Sequence, residues 1–401
     1  MLVDGRAVTY AELHAGASQT ARRLAASGVG VGDLVATTLP AGLAFCELLH
    51  ALPRLGAVLA PLDPRAPVRM DARLTVTEPL TGPEADVDLR ATLDPDAVYT
   101  VIHTSGTTGR PKPVELTYGN HHASTLASAD ALGVDPADGW LCPLPLFHVG
   151  GLGVLIRSAV NATTAVLHDG FDAGRVKAAL DAGQATLASL VPTMLARLRA
   201  AALSAPPSLR AIALGGGPIP AGLLDWAGAA NVPVMPVYGL TETSSQIVAG
   251  LPGRPLRGVE LAIGGDGEIL VRGPMVARGA LASDGWLHTG DRGRLDDAGL
   301  LHVDGRLKEL IVTGGENVSP VEVEQALLEH PAVADAGVTG RPDPEWGEAV
   351  WAFVVLRDGA TARELRDWCR ERLAPFKVPK GIEPVDDLPR NPAGKLLRDR
   401  L

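Results

Sequence analysis

The stretch Ala-Val-Tyr-Thr-Val-Ile-His-Thr-Ser-Gly-Thr-Thr-Gly-Arg-Pro-Lys at residues 97–112 joins an apolar run to a loop rich in hydroxyls and glycine. Residues 97–102 predict a buried strand, because apolar and β-branched residues follow one another there without a charge. Glycines in the loop let backbone N–H groups turn toward an anion, and the two cations add charge. The stretch therefore predicts a polyphosphate loop at a strand end, where α/β sheets usually place ligands.

Two other interpretations of this loop were compared with the sequence. Gly, Ser, Thr and Pro also cluster in ordinary surface turns, so a polar turn is the simple alternative. A Walker A loop is excluded, because it needs a Lys directly after its second Gly and a helix that begins there. Arg110 takes that place instead, and Pro111 and Pro113 disfavour an immediate helix.

On both sides of the loop, the pattern alternates between helix and strand. Thr9 and Glu12 form a capping-box signature that begins a helix reaching about Ala26. The further elements predicted before residue 240 are a strand at 34–39, a helix at 42–55, an apolar run at 57–60 and helix-strand pairs around 119–131, 154–168, 172–190 and 210–237. This alternation predicts an α/β domain of mainly parallel sheets flanked by helices.

The period changes further along the chain. Residues 268–272 and 300–303 resemble half-exposed strands between Gly/Asp turns, which indicates a small antiparallel module. Beyond it we expect a helix at 320–330, strands at 333–339 and 349–356, a helix at 361–373 and a Pro-rich tail. We therefore predict a large domain over 1–305 and a small α+β domain over 306–401.

Composition narrows the classes of function. The chain has 401 residues, enough for two or three folding units, and its 36 basic against 46 acidic residues give a net charge of −10. These totals indicate no basic face for nucleic acid. The three cysteines show no metal-ligand spacing, which favours a reducing compartment, and no run of about 20 apolar residues predicts a membrane span. We expect a soluble, cytoplasmic protein without membrane insertion.

Two more loops present groups suited to a nucleotide. Thr241 and Glu242 follow the apolar run at 232–237, where the hydroxyl suits an α-phosphate and the carboxylate suits Mg²⁺. A helix N-cap followed by a first-turn acid is the alternative. Three glycines at 215–217 would let a flat ring lie against the backbone, although alone they are a tight turn. Asp291 could accept both ribose hydroxyls, or it is an ordinary turn residue.

Three further segments are candidates with simple alternatives. Lys395 lies on a Gly-containing loop near the end of the chain, where most lysines are only solvated. Gly314 and Gly315 belong to a hydroxyl-and-glycine loop that is also typical of a hairpin turn. Phe147, His148 and Gly150 open a glycine-containing helix suited to an acyl pocket, or they are core residues.

Together these motifs resemble, in the same order, those of the adenylate-forming superfamily of acyl-CoA and aryl-CoA ligases, adenylation domains and luciferases. Pro113 departs from the Gly that is usual there. The resemblance implies an ATP/AMP site, Mg²⁺ on Glu242, catalytic roles for Lys395, Thr241 and His148, a thiolation loop at Gly314 and Gly315, and a hinge at Lys308 about which the small domain swings. The implied nucleotide-binding residues are Thr104, Ser105, Gly106, Thr107, Thr108, Gly109, Lys112, Gly215, Gly216, Gly217, Tyr238, Thr241, Asp291, Arg306 and Lys395.

Within this superfamily, the sequence is similar to that of the o-succinylbenzoate-CoA ligases at residues 143–157, 189–195 and 241–246. The 61–96 region is shorter than is usual in that family. o-Succinylbenzoate carries a second carboxylate, so its pocket should offer a cation or several hydrogen-bond donors. The candidates are Arg157, Arg197, Ser244 and Gln246, with the alternative that an Arg on an apolar helix extends to the surface.

The resemblance implies an AMP-forming ligase whose partners are a carboxylic acid, ATP and CoA, with Mg²⁺ as cofactor; a homodimer is one assembly that the sequence allows. Another aryl or medium-chain acid is an alternative substrate, and a carrier protein is an alternative acceptor. A hydrolase built on His148 is disfavoured, because no Gly-x-Ser-x-Gly occurs in the chain.

Overall fold

The structure is a computed structural model that describes residues 1–3, 5–65, 70–104, 111–390 and 396–401. Most of the predicted phosphate loop, residues 105–110, lies outside these ranges. Lys395 also lies outside them.

The helices of the described ranges begin with Tyr10–Ala26, where the predicted capping box between Thr9 and Glu12 is confirmed. In chain order they are α1 (Tyr10–Ala26), α2 (Leu43–Leu55), α3 (Tyr118–Leu132), α4 (Val149–Val160), α5 (Ala173–Asp181), α6 (Pro192–Ala200), α7 (Ala221–Ala229), α8 (Pro320–Leu328) and α9 (Ala362–Arg370).

Strands occupy both halves of the chain. In chain order they are β1 (Leu2–Val3), β2 (Arg6–Ala7), β3 (Leu34–Thr37), β4 (Val58–Pro61), β5 (Leu74–Val76), β6 (Val98–Thr104), β7 (Lys112–Thr117), β8 (Gly139–Cys142), β9 (Thr164–Leu167), β10 (Leu187–Leu190), β11 (Ala211–Leu214), β12 (Val234–Leu240), β13 (Ser245–Ala249), β14 (Arg254–Pro255), β15 (Glu260–Ile263), β16 (Glu268–Arg272), β17 (Leu287–Leu295), β18 (Leu301–Arg306), β19 (Ile311–Thr313), β20 (Glu316–Val318), β21 (Val333–Asp343), β22 (Gly347–Leu356) and β23 (Gly381–Pro384).

Two largely parallel sheets form the first part of the molecule. One has the strand order β14-β13-β12-β11-β10-β8-β9-β1-β2, and the strands from β12 to β1 in this order are parallel to their neighbours. The other has the order β5-β3-β4-β6-β7, with only the edge strand β7 antiparallel. Leucines of α2 at 48, 49 and 52 are fully buried in the core. The predicted α/β architecture is confirmed.

The later sheets are mainly antiparallel. Strands β15 to β18 form a four-stranded antiparallel module, as predicted, although β18 begins at Leu301 and extends to Arg306. The last sheet has the order β20-β19-β22-β21, with β23 beside β22, and α8 and α9 pack on it around a separate hydrophobic cluster. This sheet and its cluster are built from residues 311–382 together with the end of β23.

Pro113, the departure from the family pattern, lies in the edge strand β7 opposite His103. A proline is tolerated there, because an edge strand has one side without ladder hydrogen bonds. Its substitution for Gly is therefore compatible with the hairpin between β6 and β7. In the described ranges, no helix is long and apolar enough to cross a membrane.

A buried carboxylate links the starts of three parallel strands. Asp138, 3% exposed, accepts hydrogen bonds from Arg210, Thr186 and the N–H of Asp135. Burial alone would raise the pKa of Asp138, but these hydrogen bonds outweigh it and hold the pKa below its usual value. The carboxylate therefore stabilises the fold in its charged form.

We expect Arg210→Leu to lower the free energy of unfolding by about 2 kcal/mol at pH 7, because Asp138 then stays buried without its cation. The pKa of Asp138 is lowered in the folded state, so the difference should be full above the unfolded value near 4 and shrink as the pH falls below it. Urea unfolding of both proteins at pH 7 and pH 4 measures this. A difference that grows in acid would contradict it.

Candidate active site

The carboxyl ends of four neighbouring parallel strands carry several of the predicted motifs. Strands β8, β10, β11 and β12 lie side by side, and the segments that follow them are 143–148, 191–192, 215–217 and 241–243. Parallel strands end at one edge of a sheet, so motifs far apart in sequence meet there. This edge is the candidate site.

The glycine segment after β11 needs its glycines for two different reasons. A Cβ on Gly215 would lie 2.7 Å from Val237 Cγ2 and 3.0 Å from its carbonyl oxygen, so the backbone packs directly on β12. Gly216 has φ +84°, which a side chain would strain. Gly216 and Gly217 are exposed, which leaves their backbone open to a flat ligand.

A hydrogen-bonded triad joins the large sheet to the antiparallel module. The Tyr238 hydroxyl donates to Asp291 Oδ2 at 2.8 Å, and Arg306 Nε lies 2.7 Å from Asp291 Oδ1. Asp291 is 6% exposed, and it faces Arg306 across the β17–β18 pair. Burial and the adjacent Asp291 raise the pKa of Tyr238 well above its usual value, so the phenol keeps its proton and donates.

The surroundings of two triad members differ from the sequence interpretation. Asp291 is not a turn residue, because it lies inside β17 just after Gly290, whose φ is +70°. Tyr238 lies inside β12, which continues to Leu240. Gly290 suggested a turn in the sequence, and its positive φ does interrupt the regular strand conformation. The pairing of β17 with β18 nevertheless continues past it.

Thr241 and Glu242 form a short 3-10 helix with Thr243 at the end of β12. The carbonyl oxygen of Glu242 accepts from Ala277 N at 2.8 Å, and β7, which begins with Lys112, contacts this helix. Within the described residues, no cluster of three or more His, Cys, Asp and Glu could hold a metal. A single carboxylate suits Mg²⁺ that also binds phosphate oxygens, so Glu242 fits that ion without an all-protein cage.

The backbone after this helix adopts an unusual conformation. Ser244 and Ser245 have φ values of +53° and +101°, which side chains rarely adopt. Ser124 Oγ donates to the carbonyl oxygen of Ser244 at 2.8 Å, and Ser244 Oγ donates to that of Met275 at 2.9 Å. These bonds hold a conformation that costs about 1–3 kcal/mol per residue beside the candidate site.

Helix α3 presents a buried polar face that sequence analysis missed. Ser128 Oγ accepts from Gln246 Nε2 at 3.0 Å, and Ser124 accepts from Arg157 Nη2 at 3.4 Å. His121 Nε2 lies 2.9 Å from the Thr100 hydroxyl. Burial, with the charge of Arg157, lowers the pKa of His121 to about 3, so the ring is neutral. Polar residues spaced along a helix usually indicate a face exposed to solvent. Only the packing of α3 against its neighbours in the structure shows that its polar face is buried.

Arg157 is a buried cation on α4, only 3% exposed, instead of extending to the surface. Its guanidinium lies 5.6 Å from the centre of the Trp140 ring, and burial lowers its pKa to about 10. In the described ranges, no carboxylate lies within ion-pair distance of it. Arg197 is exposed on α6. Ser244 and Gln246 are buried, and both already donate to protein groups.

Phe147 and His148 are half-buried at the start of α4, where His148 is the N-cap residue and Gly150 stands in the first turn. Burial lowers the pKa of His148, so its ring is neutral at pH 7. Arg65 lies 5.9 Å above the Phe147 ring and donates to Asp63 at 2.9 Å. No sequence signal connects Arg65 with residue 147, because their contact depends on the packing of separate sheets.

The remaining candidates divide between the described and undescribed ranges. Thr104 is the last residue of β6, and its hydroxyl lies 3.4 Å from the carbonyl oxygen of Lys112. Lys112 is exposed. Lys308 is exposed in a 3-10 helix at Leu307–Glu309. The candidates outside the described residues are Ser105, Gly106, Thr107, Thr108, Gly109 and Lys395.

Gly314 and Gly315 form the two-residue connection between β19 and β20, since Thr313 pairs with Glu316. Their φ values are +59° and +83°, as a type I′ hairpin turn requires. Both glycines are exposed, and Gly314 packs beside Trp346, which lies in the connection between β21 and β22. A hairpin and a thiol-facing loop are therefore compatible interpretations of these residues.

Comparison with known families matches most of the chain. The family described as AMP-binding enzyme matches residues 1–79 and 69–281, and the AMP-binding enzyme C-terminal domain matches residues 322–395. The 2-succinylbenzoate--CoA ligase of Bacillus subtilis (strain 168) is 37% identical, with 100% of this chain and 94% of that protein covered. The enzyme of that name from Geobacillus kaustophilus (strain HTA426) is 41% identical, with 99% and 93% covered.

Solved structures agree with this result. The o-succinylbenzoate CoA synthetase of Bacillus subtilis in complex with the acyl-adenylate intermediate OSB-AMP is 37% identical and has a TM-score of 0.91, with 99% of this chain and 93% of that chain covered. The same synthetase in complex with ATP and magnesium ion gives a TM-score of 0.88 at 37% identity, with 99% and 95% covered.

The Ser124 hydroxyl should be a measurable part of the polar face of α3. We expect Ser124→Ala to lower the free energy of unfolding by about 1–3 kcal/mol, because the buried Ser244 carbonyl loses a donor and Arg157 an acceptor. Ser158→Ala is the matched control, since the Ser158 hydroxyl is buried without a hydrogen-bond partner among the described residues. Urea unfolding should show little loss for the control; equal losses would contradict the role of Ser124.

Proposed function

Because this chain belongs to the AMP-binding enzyme family, we propose that it is an ATP-dependent carboxylate-CoA ligase that acts on 2-succinylbenzoate. The observation that carries the proposal is the triad of Tyr238, Asp291 and Arg306 beside the Gly215–Gly217 and Thr241–Glu242 segments. In this arrangement the fixed carboxylate of Asp291 would bind a ribose, and the open backbone of the glycine segment would bind a base. The Thr241 hydroxyl and the Glu242 carboxylate would bind phosphates and Mg²⁺. The choice of 2-succinylbenzoate as the acid follows from the names of the similar proteins.

The first step joins the acid to AMP. A carboxylate oxygen of the substrate attacks the α-phosphorus of ATP, the new O–P bond forms, and pyrophosphate leaves with the electrons of the broken bond. Charge increases on both groups in the transition state, and a cation that bridges them stabilises it. We assign this role to Lys395, the α-phosphate to Thr241, and the polyphosphate to residues 104–109 and Lys112. Mg²⁺ on Glu242 would neutralise phosphate charge.

The second step transfers the acyl group to CoA. The thiol sulfur attacks the acyl carbonyl carbon, a C–S bond forms, AMP leaves, and the thiol proton passes to the surroundings. Gly314 and Gly315 would line the path of the thiol after the small domain, 306–401, turns against 1–305 about Lys308. Phe147, His148 and Gly150 would form the acyl pocket beside the carbonyl. We place this reaction in the cytoplasm, where ATP and CoA are available.

A second carboxylate on the substrate explains a cation in the acyl region. Arg157 is buried and without a carboxylate partner in the described part of the chain, which is costly for a structural arginine and suits a charge supplied by a ligand. Arg197 follows the 189–195 segment of the same sheet edge and is the second candidate. Ser244 and Gln246 would contribute mainly by positioning neighbouring groups, because their side chains already donate within the protein.

The activity is tested by mass spectrometry of CoA thioesters formed from ATP, Mg²⁺, CoA and a panel of acids. The panel contains 2-succinylbenzoate, simple aryl acids, fatty acids and amino acids. We expect the 2-succinylbenzoate thioester as the main product. Turnover of another acid would overturn the substrate and keep the ligase, whereas AMP release without a CoA product would indicate a carrier-protein acceptor.

Lys395→Ala should slow acid-dependent ATP–pyrophosphate exchange by roughly 10²-fold or more, the scale for loss of one preorganised donor to a developing charge. Thioester formation from supplied acyl-AMP should continue, because that step does not need the cation at the α-phosphate. An equal loss in both half-reactions would remove Lys395 from the first step.

Arg157→Leu and Arg197→Leu should each raise KM for 2-succinylbenzoate by about tenfold or more, equivalent to about 1.4 kcal/mol of binding, and raise KM for benzoate analogues less. Steady-state kinetics with both acids on each variant measure the ratio. Equal increases for the two acids would make the arginines structural.

A further inference from the structure

Asp291, the carboxylate proposed for the ribose, stands in a bulge of the antiparallel module. Between two paired positions, β17 contributes the three residues 289–291 where β16 contributes only Ile269. Bulges of this kind often lie beside active sites, where they change the direction of a side chain. The direction of the Asp291 carboxylate therefore depends on how this bulge is held.

Two side chains accept hydrogen bonds from backbone N–H groups inside the bulge. Thr289 Oγ1 accepts from Asp291 N at 3.0 Å and donates to the carbonyl oxygen of Ile269 at 2.7 Å. Glu268 Oε1 accepts from Gly290 N at 2.8 Å. Because Gly290 has φ +70°, this part of the backbone lies outside the regular strand conformation, and side chains satisfy its N–H groups.

The Glu268 carboxylate is itself fixed by a histidine. Its Oε2 lies 2.7 Å from His288 Nδ1, and His288 Nε2 lies 3.0 Å from Asp284 Oδ2. The hydrogen bonds to Asp284 and Glu268 raise the pKa of His288, because a ring between two carboxylates donates from both nitrogens when it is protonated. The side chain of Glu268 is only 13% exposed. One of its oxygens thus contacts the histidine and the other contacts the bulge.

We infer that Glu268 is a positioning residue for ATP: its carboxylate holds the Gly290 peptide so that the adjoining Asp291 carboxylate is turned toward the ribose. The inference rests on the proposed function, in which Asp291 binds the ribose hydroxyls. Tyr238 and Arg306 each contact one Asp291 oxygen, and each carboxylate oxygen has a second lone pair that can accept from a hydroxyl. A rotation of the peptide before Asp291 would turn these lone pairs away from the sugar.

The test compares Glu268→Ala with the wild type in acid-dependent ATP–pyrophosphate exchange, with the acid of the panel that the wild type uses best. We expect KM for ATP to rise about tenfold, and KM for the acid to stay within about twofold. The preference for ATP over 2′-deoxy-ATP and 3′-deoxy-ATP, measured as the ratio of kcat/KM values, should fall by about tenfold.

This preference separates positioning from general damage. A loss of folded protein lowers the rate with every nucleotide equally, so it leaves the ratio of kcat/KM values unchanged. An unchanged ratio in Glu268→Ala would therefore overturn the inference. A wild type without preference against either deoxynucleotide would also overturn it, because Asp291 would then not recognise the ribose hydroxyls.

Two further variants test whether Glu268 acts through the named groups. Glu268→Gln keeps an oxygen that can accept from Gly290 N, so its nucleotide preference should stay within about threefold of the wild type. In an Asp291→Asn background, Glu268→Ala should change the preference by less than about twofold further, because the group that it positions is already altered. A Gln variant as impaired as the Ala variant, or fully additive losses in the pair, would contradict the inference.

Glu260→Ala is the matched control. Glu260 lies on β15 of the same antiparallel module and pairs with Arg272 at 2.6 Å, with both side chains exposed. Neither KM for ATP nor the nucleotide preference should change in this variant. If the wild-type protein shows no exchange with any acid of the panel, the proposed function fails. If the wild type is active and prefers ATP, and Glu268→Ala behaves like Glu260→Ala, only this inference fails.

Discussion

The Asp291 carboxylate is the contact on which the arrangement of the site depends. It accepts from Tyr238 of the large parallel sheet and pairs with Arg306, the last residue of the antiparallel module before the 3-10 helix at Leu307–Glu309. The large parallel sheet and the antiparallel module are therefore held together at one buried group. A carboxylate at 6% exposure is stable there because both its oxygens are satisfied. The proposed nucleotide site and the proposed hinge would share this anchor.

Around that anchor the protein uses strained backbone and buried polar groups, which are costly unless their partners are fixed. Ser244 and Ser245 keep positive φ values beside Thr241 and Glu242 because hydroxyls of α3 and carbonyls of the antiparallel module hold them. Arg157 stands at the end of the same network, with Ser124 as its hydrogen-bond partner. The proposed acyl region thus combines the apolar helix α4 with the buried cation of Arg157, an arrangement suited to an acid that carries a second charge.

The small unit at the end of the chain repeats this strategy. Glu324, a buried glutamate on α8, accepts a hydrogen bond from Arg398 of the C-terminal segment. Buried ion pairs contribute little net stability, because desolvation offsets the attraction, yet they define geometry well.

Local sequence determined most of the fold and the identity of the motifs. The capping box at Thr9, the α2 helix and strands such as β16 follow from residue periodicity and short-range chemistry, and the glycine and hydroxyl loops carry their chemistry in consecutive residues. Tertiary structure alone decided that Asp291 lies in a strand, that Arg157 is buried and that Tyr238 donates to Asp291. The reason is physical: these features depend on contacts between residues distant in the chain, and no local pattern records which faces the sheets and helices turn toward each other.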